Sequence, residues 1–260
     1  MKEVTVYSGG KLERGEADVV QEFPLVLRVN DREIVTLIAS PHDLRFLVAG
    51  FLRVQGFVNC VEDFLVLSVC NDYGIANVRI KGELPSELKP ILTSGCGTGI
   101  TFTLPGAGAT PTPLPQGEPV AVAAIFELMK QLAAQSEKYK THGGVHSAAV
   151  GDARGALLLH AEDIGRHNTF DRLAGEALLK GVQLAGSLLV TSGRVSAEMA
   201  AKAAALGIQL IASRTSPTDM AIRICQENGI TLIGYLRGAR FNVYAHPDRI
   251  KVAEAPADQD

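Results

Sequence analysis

From residue 120 onward, helix-type and strand-type segments alternate, and this alternation constrains the fold more than any other feature. Helical periodicity over 120–136 and 196–206 is interrupted by short apolar runs, such as 188–190 and 209–212. Runs of this length are typical of buried strands. The predicted order is a helix, a strand hairpin and then three helix–strand pairs. This order indicates an α/β fold with a mixed sheet and helices on both faces.

A proline-rich stretch precedes this alternation. Five prolines lie within residues 105–119, where they disfavour both helix interiors and strand ladders. We therefore predict three parts: a small α+β domain over 1–104, a linker over 105–119 and an α/β domain over 120–260. The first domain contains a predicted hairpin over 25–38 and a helix that Ser40, as its N-cap, would begin.

The composition excludes several classes of function. A net charge of -3 and a pI near 6.1 argue against partners such as nucleic acid or an anionic membrane surface. No apolar run approaches the roughly 18 residues needed to span a bilayer, and the N-terminus lacks a signal-peptide pattern. We therefore expect a cytoplasmic protein with reduced cysteines. The four cysteines lack metal-type spacing, so we expect no intrinsic metal.

One cysteine has a setting that suggests reactivity. Cys96 lies in the segment TSGCGTG, residues 93–99. Glycines allow a tight backbone whose N–H groups converge, and such a nest stabilises an anion. A thiolate there would be the nucleophilic form of the sulfur. On composition alone, the alternative is a loop cysteine without a role. We expect the remaining cysteines to be packing residues, namely Cys60, Cys70 and Cys225.

Three predicted strand-to-helix loops share one pattern. The loops span 163–168, 191–194 and 213–216. Each contains one arginine, in order Arg166, Arg194 and Arg214. Free N–H groups at a helix start and the guanidinium fork both suit phosphate, so the loops together predict a site for a polyanionic, nucleotide-like ligand. In the alternative interpretation, the arginines only pair with nearby acids, namely Glu162, Asp163 or Glu198.

A short histidine–glutamate motif suggests a different chemistry. His160 and Glu162 match the H-x-E pattern of zinc deaminases, in which histidine binds the metal and glutamate moves protons. That chemistry also needs a downstream P-C-x-x-C, and the only later cysteine is Cys225 in RICQ. We therefore expect no zinc site. His142 and His146 have no partners at ligand spacing, and we expect them to serve structure or substrate contact.

Several of these segments together resemble the motif series of the FdhD family, the formate dehydrogenase accessory sulfurtransferases. The motifs are EDIGRHN at 162–168, TSGRVS at 191–196, ASRTSPT at 212–218, RFNVY at 240–244, PHDL at 41–44 and GGVH at 143–146. The resemblance covers about residues 24–250.

The resemblance implies a specific activity. Cys96 would accept sulfur as a persulfide from a cysteine desulfurase and deliver it to the molybdenum or tungsten bis(guanine dinucleotide) cofactor of formate dehydrogenase. This bis-molybdopterin guanine dinucleotide would be a bound substrate, and GDP-like nucleotides would fit the same site. The implied contact residues, beside Arg166 and Arg194, are Phe241, Asn242, Val243, Tyr244, Ala245 and His246.

The resemblance also implies an architecture. It predicts a cytidine-deaminase-like, three-layer α/β/α C-terminal domain without the zinc site, and a homodimer. Many family members carry a second cysteine three residues after the first, but this chain has Gly99 there, so Cys96 would act alone. Two other functions stay open: a non-enzymatic chaperone that binds the molybdenum cofactor, and a deaminase built on His160 and Glu162.

Overall fold

The structure is a computed structural model that describes residues 1–85, 90–92, 100–102 and 119–252. Cys96 and most of the predicted linker lie outside these residues, so the predicted domain boundary stays a prediction. The helices are α1 (Leu44–Val54), α2 (Val122–Gln135), α3 (Glu137–His142), α4 (Arg166–Lys180), α5 (Ala197–Ala205) and α6 (Asp219–Asn228). No helix in the described part of the chain is both long and apolar enough to cross a bilayer.

The strands form one four-stranded sheet, one six-stranded sheet and several two-stranded pairs. In the N-terminal half they are β1 (Lys2–Ser8), β2 (Lys11–Ala17), β3 (Phe23–Val29), β4 (Arg32–Ala39), β5 (Phe64–Cys70), β6 (Ile75–Ile80), β7 (Pro90–Leu92) and β8 (Ile100–Phe102). In the C-terminal half they are β9 (Val120–Ala121), β10 (His146–Gly151), β11 (Leu157–Asp163), β12 (Leu188–Thr191), β13 (Leu210–Ser213), β14 (Thr231–Arg237), β15 (Arg240–Ala245) and β16 (Ile250–Lys251).

The N-terminal sheet contains the predicted hairpin. β3 and β4 are antiparallel, and the turn residues Asn30 and Asp31 have φ of 47° and 66°. Two left-handed residues in a two-residue turn match the right-handed twist of the flanking strands. β3 also pairs with β6 in parallel, which gives the order β4-β3-β6-β5. The apolar side of α1 shares one buried cluster with this sheet, including Leu25, Leu27, Leu47, Phe51 and Val78.

The start of α1 differs from the prediction. Ser40 was predicted as its N-cap, but the helix begins at Leu44 after Asp43, whose φ is 44°. Ser40 does not cap the helix because it has distant partners: its N–H donates to Asp163 Oδ2 at 3.2 Å, and its Oγ accepts from the N–H of Ile164 at 3.2 Å. Residues 40–43 therefore form a connection to the C-terminal half instead of a first helical turn.

The C-terminal sheet has the order β11-β10-β12-β13-β14-β15. β12, β13 and β14 are parallel, while the other neighbouring pairs are antiparallel. Leu189 packs in the cluster of α4, α5 and α6, and the adjacent Val190 packs in the cluster of α2. Helices thus cover both faces, and the predicted mixed α/β architecture is confirmed. The cytidine-deaminase-like arrangement stays a prediction, and β15 and the β1–β2 hairpin were not predicted.

The two halves meet where α1 crosses α4. A Cβ atom on Gly50 of α1 would collide with the carbonyl oxygen of Asp171, and one on Gly175 of α4 would collide with the carbonyl oxygen of Phe46. The backbones of the two helices are therefore in direct contact, which only glycine allows at these positions.

We expect Gly50→Ala to lower the free energy of unfolding by about 3 kcal/mol, because the added methyl group forces the helices apart. The loss should occur even though alanine is the better helix former by about 1 kcal/mol. Urea denaturation measures the change. Gly82→Ala is the matched control, because a Cβ there meets no atom within 4 Å. Equal stability of the two variants would contradict the tight crossing.

Candidate functional site

The three arginine-bearing loops lie along one edge of the C-terminal sheet. β11 and β12 both run antiparallel to β10, and β13 runs parallel to β12, so all three strands end at the same edge. β11, β12 and β13 are followed by α4, α5 and α6, which confirms the predicted strand-to-helix loops. β10 begins at this edge with His146 and separates β11 from β12.

Hydroxyl groups tie the second and third loops together. Ser213 Oγ donates to the carbonyl oxygen of Gly193 at 2.7 Å and accepts from the N–H of Thr215 at 3.0 Å. Thr191 Oγ1 accepts from the N–H of Gly193 at 3.1 Å. These bonds explain why serine and threonine accompany the arginines: their side chains hold the backbone of the edge in place.

Close packing brings the first loop against the second. A Cβ on Gly193 would lie 2.9 Å from Arg166 Cβ and 3.3 Å from His146 Nδ1. Arg166 is half-buried, whereas Arg194 and Arg214 are exposed. The edge thus carries three guanidinium groups within one connected set of loops, with a histidine among them.

His146 is held neutral at this edge. Burial lowers its pKa, and the positive charge of Arg166 lowers it further. The Nδ1 atom of His146 lies 3.5 Å from Ser192 Oγ, in the loop that contains Arg194. A neutral imidazole in this position can donate or accept a hydrogen bond and adds no positive charge to the edge.

Two of the acids that could have paired with the edge arginines are engaged elsewhere. Glu162 accepts from the N–H groups of Lys138 and Tyr139 at 3.0 Å each, so it caps α3. Asp163 pairs with Arg172, whose Nε and Nη2 lie 2.8 and 2.6 Å from its Oδ2. The third acid, Glu198, lies 3.1 Å from the ammonium group of a lysine on its own helix.

The Asp163–Arg172 pair fixes the first loop to the N-terminal half. Arg172 donates to the carbonyl oxygens of Ser40, at 2.8 Å, and His42. Asp163 Oδ1 accepts from the N–H of Gly165 at 2.9 Å, at the turn into α4. Both side chains of the pair are at most 3% exposed. The buried charges are therefore matched by hydrogen bonds on every side, as a stable buried pair requires.

We expect Asp163→Ala to destabilise the protein by about 3–5 kcal/mol, because it leaves the guanidinium of Arg172 buried without its counter-charge. Thermal and urea unfolding measure the loss. Glu33→Ala is the control: Glu33 lies 3.7 Å from Arg28 in an exposed pair, and its removal should cost less than about 1 kcal/mol. A similar small cost at both positions would contradict the assigned role of the buried pair.

The starts of the three edge helices differ in their caps. Thr218 Oγ1 caps α6 by accepting from the N–H of Ala221 at 3.3 Å. α4 follows Gly165 and α5 follows Ser196, and neither has a side-chain cap hydrogen bond. The two helices that lack a side-chain cap are therefore the ones that follow the Arg166 and Arg194 loops.

Beneath these two helix starts lies a buried polar cluster. Lys202 Nζ lies 2.8 Å from Asp171 Oδ1 and 3.1 Å from Glu198 Oε1. His167 Nε2 lies 3.1 Å from Ser196 Oγ and 3.5 Å from Glu198 Oε2. Burial lowers the pKa of His167 to about 4, against the opposing effect of Glu198. His167 is thus neutral in the native protein near pH 7.

His167 should make the protein less stable in acid. In the unfolded chain, the pKa of His167 is about 6.5, so this residue takes up a proton as the pH falls below that value. In the native protein, His167 does not take up this proton until about pH 4. Stability is therefore lost as the pH falls through this window, by about 2 kcal/mol between pH 7 and pH 5 for this residue. Urea unfolding at both pH values should show a smaller loss in His167→Gln. An unchanged pH dependence would contradict the buried neutral state.

The predicted cofactor segment 241–246 largely coincides with β15. Phe241 lies near the edge with the arginines, and its ring centroid is 5.7 Å from that of Phe126 on α2. Phe126 and Arg214 line a cavity of about 320 Å³ at this edge. β15 runs antiparallel to β14, so it leads away from the edge.

The six residues therefore do not form one contact surface within a single chain. Phe241 and Val243 pack on the side of α2, and Tyr244 and Ala245 pack on the other side. Asn242 is exposed, and His246 lies past the far end of β15. The structure groups Phe241 with Arg166, Arg194 and Arg214 at one edge. The ligand contacts of all these residues stay predictions.

The described cysteines include two poor candidates for a reactive thiolate. Cys60 is exposed, but its pKa is raised by a hydrogen bond with the side chain of Glu62. Slight desolvation and the negative charge of Asp63 raise the pKa further. Cys225 is fully buried, and burial raises its pKa to about 12. Cys96 lies outside the described residues, so its predicted reactivity is untested by the structure.

The histidine–glutamate motif has a structural use. The Glu162 carboxylate binds the α3 backbone and also accepts from Ser147 Oγ at 3.3 Å, so a role in proton transfer would require these bonds to break. His160 lines a polar cavity of about 480 Å³ with His42. Within the described ranges, no three His, Cys, Asp or Glu side chains are grouped closely enough to hold a metal ion.

Fold and site together define an α/β protein whose mixed sheet presents arginine-bearing loops at one edge. The chain belongs to the FdhD/NarQ family, whose model matches residues 20–251. The resemblance of the sequence motifs to this family is thereby confirmed.

Relatives match along nearly the whole chain. A protein of Bacillus subtilis named sulfur carrier protein FdhD is 34% identical over 255 residues, which cover 96% of this chain and 97% of that protein. A sulfur carrier protein FdhD of Bacillus pumilus is 35% identical over 94% of both chains. A crystal structure described as a formate dehydrogenase accessory protein, from Desulfotalea psychrophila, is 28% identical, with a TM-score of 0.79 over 96% of this chain and 98% of that one.

Proposed function

We propose that this protein is a sulfur carrier for formate dehydrogenase. Its sulfur would travel as a persulfide on Cys96, from a cysteine desulfurase to the bis(guanine dinucleotide) cofactor of molybdenum or tungsten, which is the acceptor substrate. The observation that carries the proposal is the near-full-length similarity to relatives named sulfur carrier protein FdhD. A soluble homodimer in the cytoplasm is the state in which we expect it to act.

The loading step follows from thiol–persulfide exchange. The Cys96 thiolate attacks the terminal sulfur of the desulfurase persulfide, and the sulfur–sulfur bond in the desulfurase breaks. A new sulfur–sulfur bond forms on Cys96, the proton remains on the terminal sulfur, and the desulfurase cysteine leaves as a thiolate. No electrons enter or leave, so the step needs no other reactant.

The edge of the C-terminal sheet would bind the cofactor that receives the sulfur. Arg166, Arg194 and Arg214 would bind the phosphates of the guanine dinucleotide, since guanidinium groups form bidentate, charge-assisted bonds with phosphate. A cavity at the same edge is lined by Phe126 and Arg214, and the ring of Phe241 packs near that of Phe126. A GDP molecule would present the same phosphates and base.

We expect Cys96→Ala to abolish the maturation of formate dehydrogenase while GDP binding is retained, because the substitution removes the sulfur-carrying atom and leaves the arginine edge intact. In the wild-type protein, mass spectrometry after incubation with a cysteine desulfurase and cysteine should show one added sulfur on the peptide that contains Cys96. Dehydrogenase activity in cells that carry only the variant gives the second readout.

Cys60→Ala is the matched control, because it removes an exposed thiol with a raised pKa and should leave maturation unchanged. Full dehydrogenase activity with Cys96→Ala would refute the assignment. No added sulfur on Cys96, together with retained GDP binding, would favour the non-enzymatic cofactor-binding chaperone.

A further inference from the structure

Two of the edge loops are joined below the surface by one pair of side chains. His167 follows Arg166 in the first turn of α4, and Ser196 lies two positions after Arg194, just before α5. His167 Nε2 lies 3.1 Å from Ser196 Oγ, and the two residues are 2% and 3% exposed. The pair therefore connects the two helix starts that follow Arg166 and Arg194.

The Ser196 hydroxyl is committed to this connection. An N-cap serine usually accepts a hydrogen bond from an N–H group of its own first turn. Ser196 makes no such bond, and its Oγ faces His167 on the neighbouring helix. The serine thus acts between two helices and not within one.

The pair is not arranged for catalysis. In a serine–histidine–acid triad, the serine and the acid bind opposite nitrogens of the imidazole. Here Glu198 Oε2 lies 3.5 Å from the same Nε2 that faces Ser196. Both residues are also buried too deeply for a substrate to reach. The geometry instead supports a role in which this pair acts on the position of neighbouring residues.

We propose that His167 is a positioning residue that, through Ser196, sets the spacing of Arg166 and Arg194 and so determines the affinity for the nucleotide phosphates. This role rests on the proposed function, because it concerns the same nucleotide site. Bidentate contacts lose strength when a guanidinium is displaced by about 1 Å. A hydrogen bond between the two helix starts holds both arginines against such a displacement.

Calorimetric titration with GDP tests the role. Ser196→Ala removes the bond and should weaken GDP binding about tenfold. His167→Gln keeps a side-chain group that can donate or accept this hydrogen bond, and it should bind GDP within about threefold of the wild type. Ser196→Ala and His167→Ala remove the same bond, so their effects on GDP affinity should not add. The double variant should bind GDP about as well as the single variant with the lower affinity.

Asn228→Ala is the matched control. Asn228 is also a buried polar residue, at the end of α6 that lies away from the arginine loops, and its Nδ2 donates to the carbonyl oxygen of Ile224 at 2.8 Å. Both variants should show a lowered Tm, but only Ser196→Ala should bind GDP more weakly. This comparison separates positioning from general destabilisation.

Three outcomes would overturn the role. GDP affinity of wild-type strength in folded Ser196→Ala would show that the bond does not position the arginines. An equal loss in Asn228→Ala would assign the effect to stability alone. A wild-type protein that binds no GDP would remove the nucleotide site of the proposed function, and this role with it.

Discussion

The pairing of Asp163 with Arg172 determines where the candidate site lies relative to the rest of the protein. A buried guanidinium needs a counter-charge and an acceptor for each of its donors. Arg172 finds them in Asp163 and in the carbonyl oxygens of Ser40 and His42. Asp163 in turn orders the turn that leads into α4. One interaction thereby connects the N-terminal sheet, the end of β11 and the first arginine loop.

Helix α4 combines three kinds of contact in fifteen residues. Gly175 lets α1 approach its backbone, Arg172 binds the connection after β4, and His167 and Asp171 join the cluster with α5. Such a helix is unusually polar for a buried element, yet its buried charged residues Asp171 and Arg172 have partners of opposite sign. Its polarity is explained by these partners, which come from several parts of the chain.

Much of the C-terminal fold could be predicted from the sequence because buried strands have short, uninterrupted apolar runs. β12 and β13 contain such runs at 188–190 and 210–212, and each strand end is marked by hydroxyl residues and an arginine. β15 was missed because exposed Asn242 and half-buried Tyr244 interrupt its apolar pattern. The first loop and the second could be recognised separately, but their contact at Gly193 depends on strand order.

Other features could not be predicted because their partners are distant in sequence. Ser40 has the composition of an N-cap, and only its bonds with Asp163 and Ile164 show that it serves another purpose. The role of Glu162 as a cap for α3 likewise depends on a segment more than twenty residues earlier. The similarity to family motifs identified the edge residues, but the partners of the buried polar side chains required the three-dimensional structure.

The burial of one set of charges and the exposure of another have separate physical consequences. Dissolved ions screen charges that face water, with a Debye length of about 8 Å at physiological ionic strength, and barely affect pairs inside the protein. Arg194 and Arg214 face water, whereas Arg172 and Lys202 do not. Ionic strength therefore acts on the attraction between the sheet edge and an anion, and leaves the internal junction of the two halves intact.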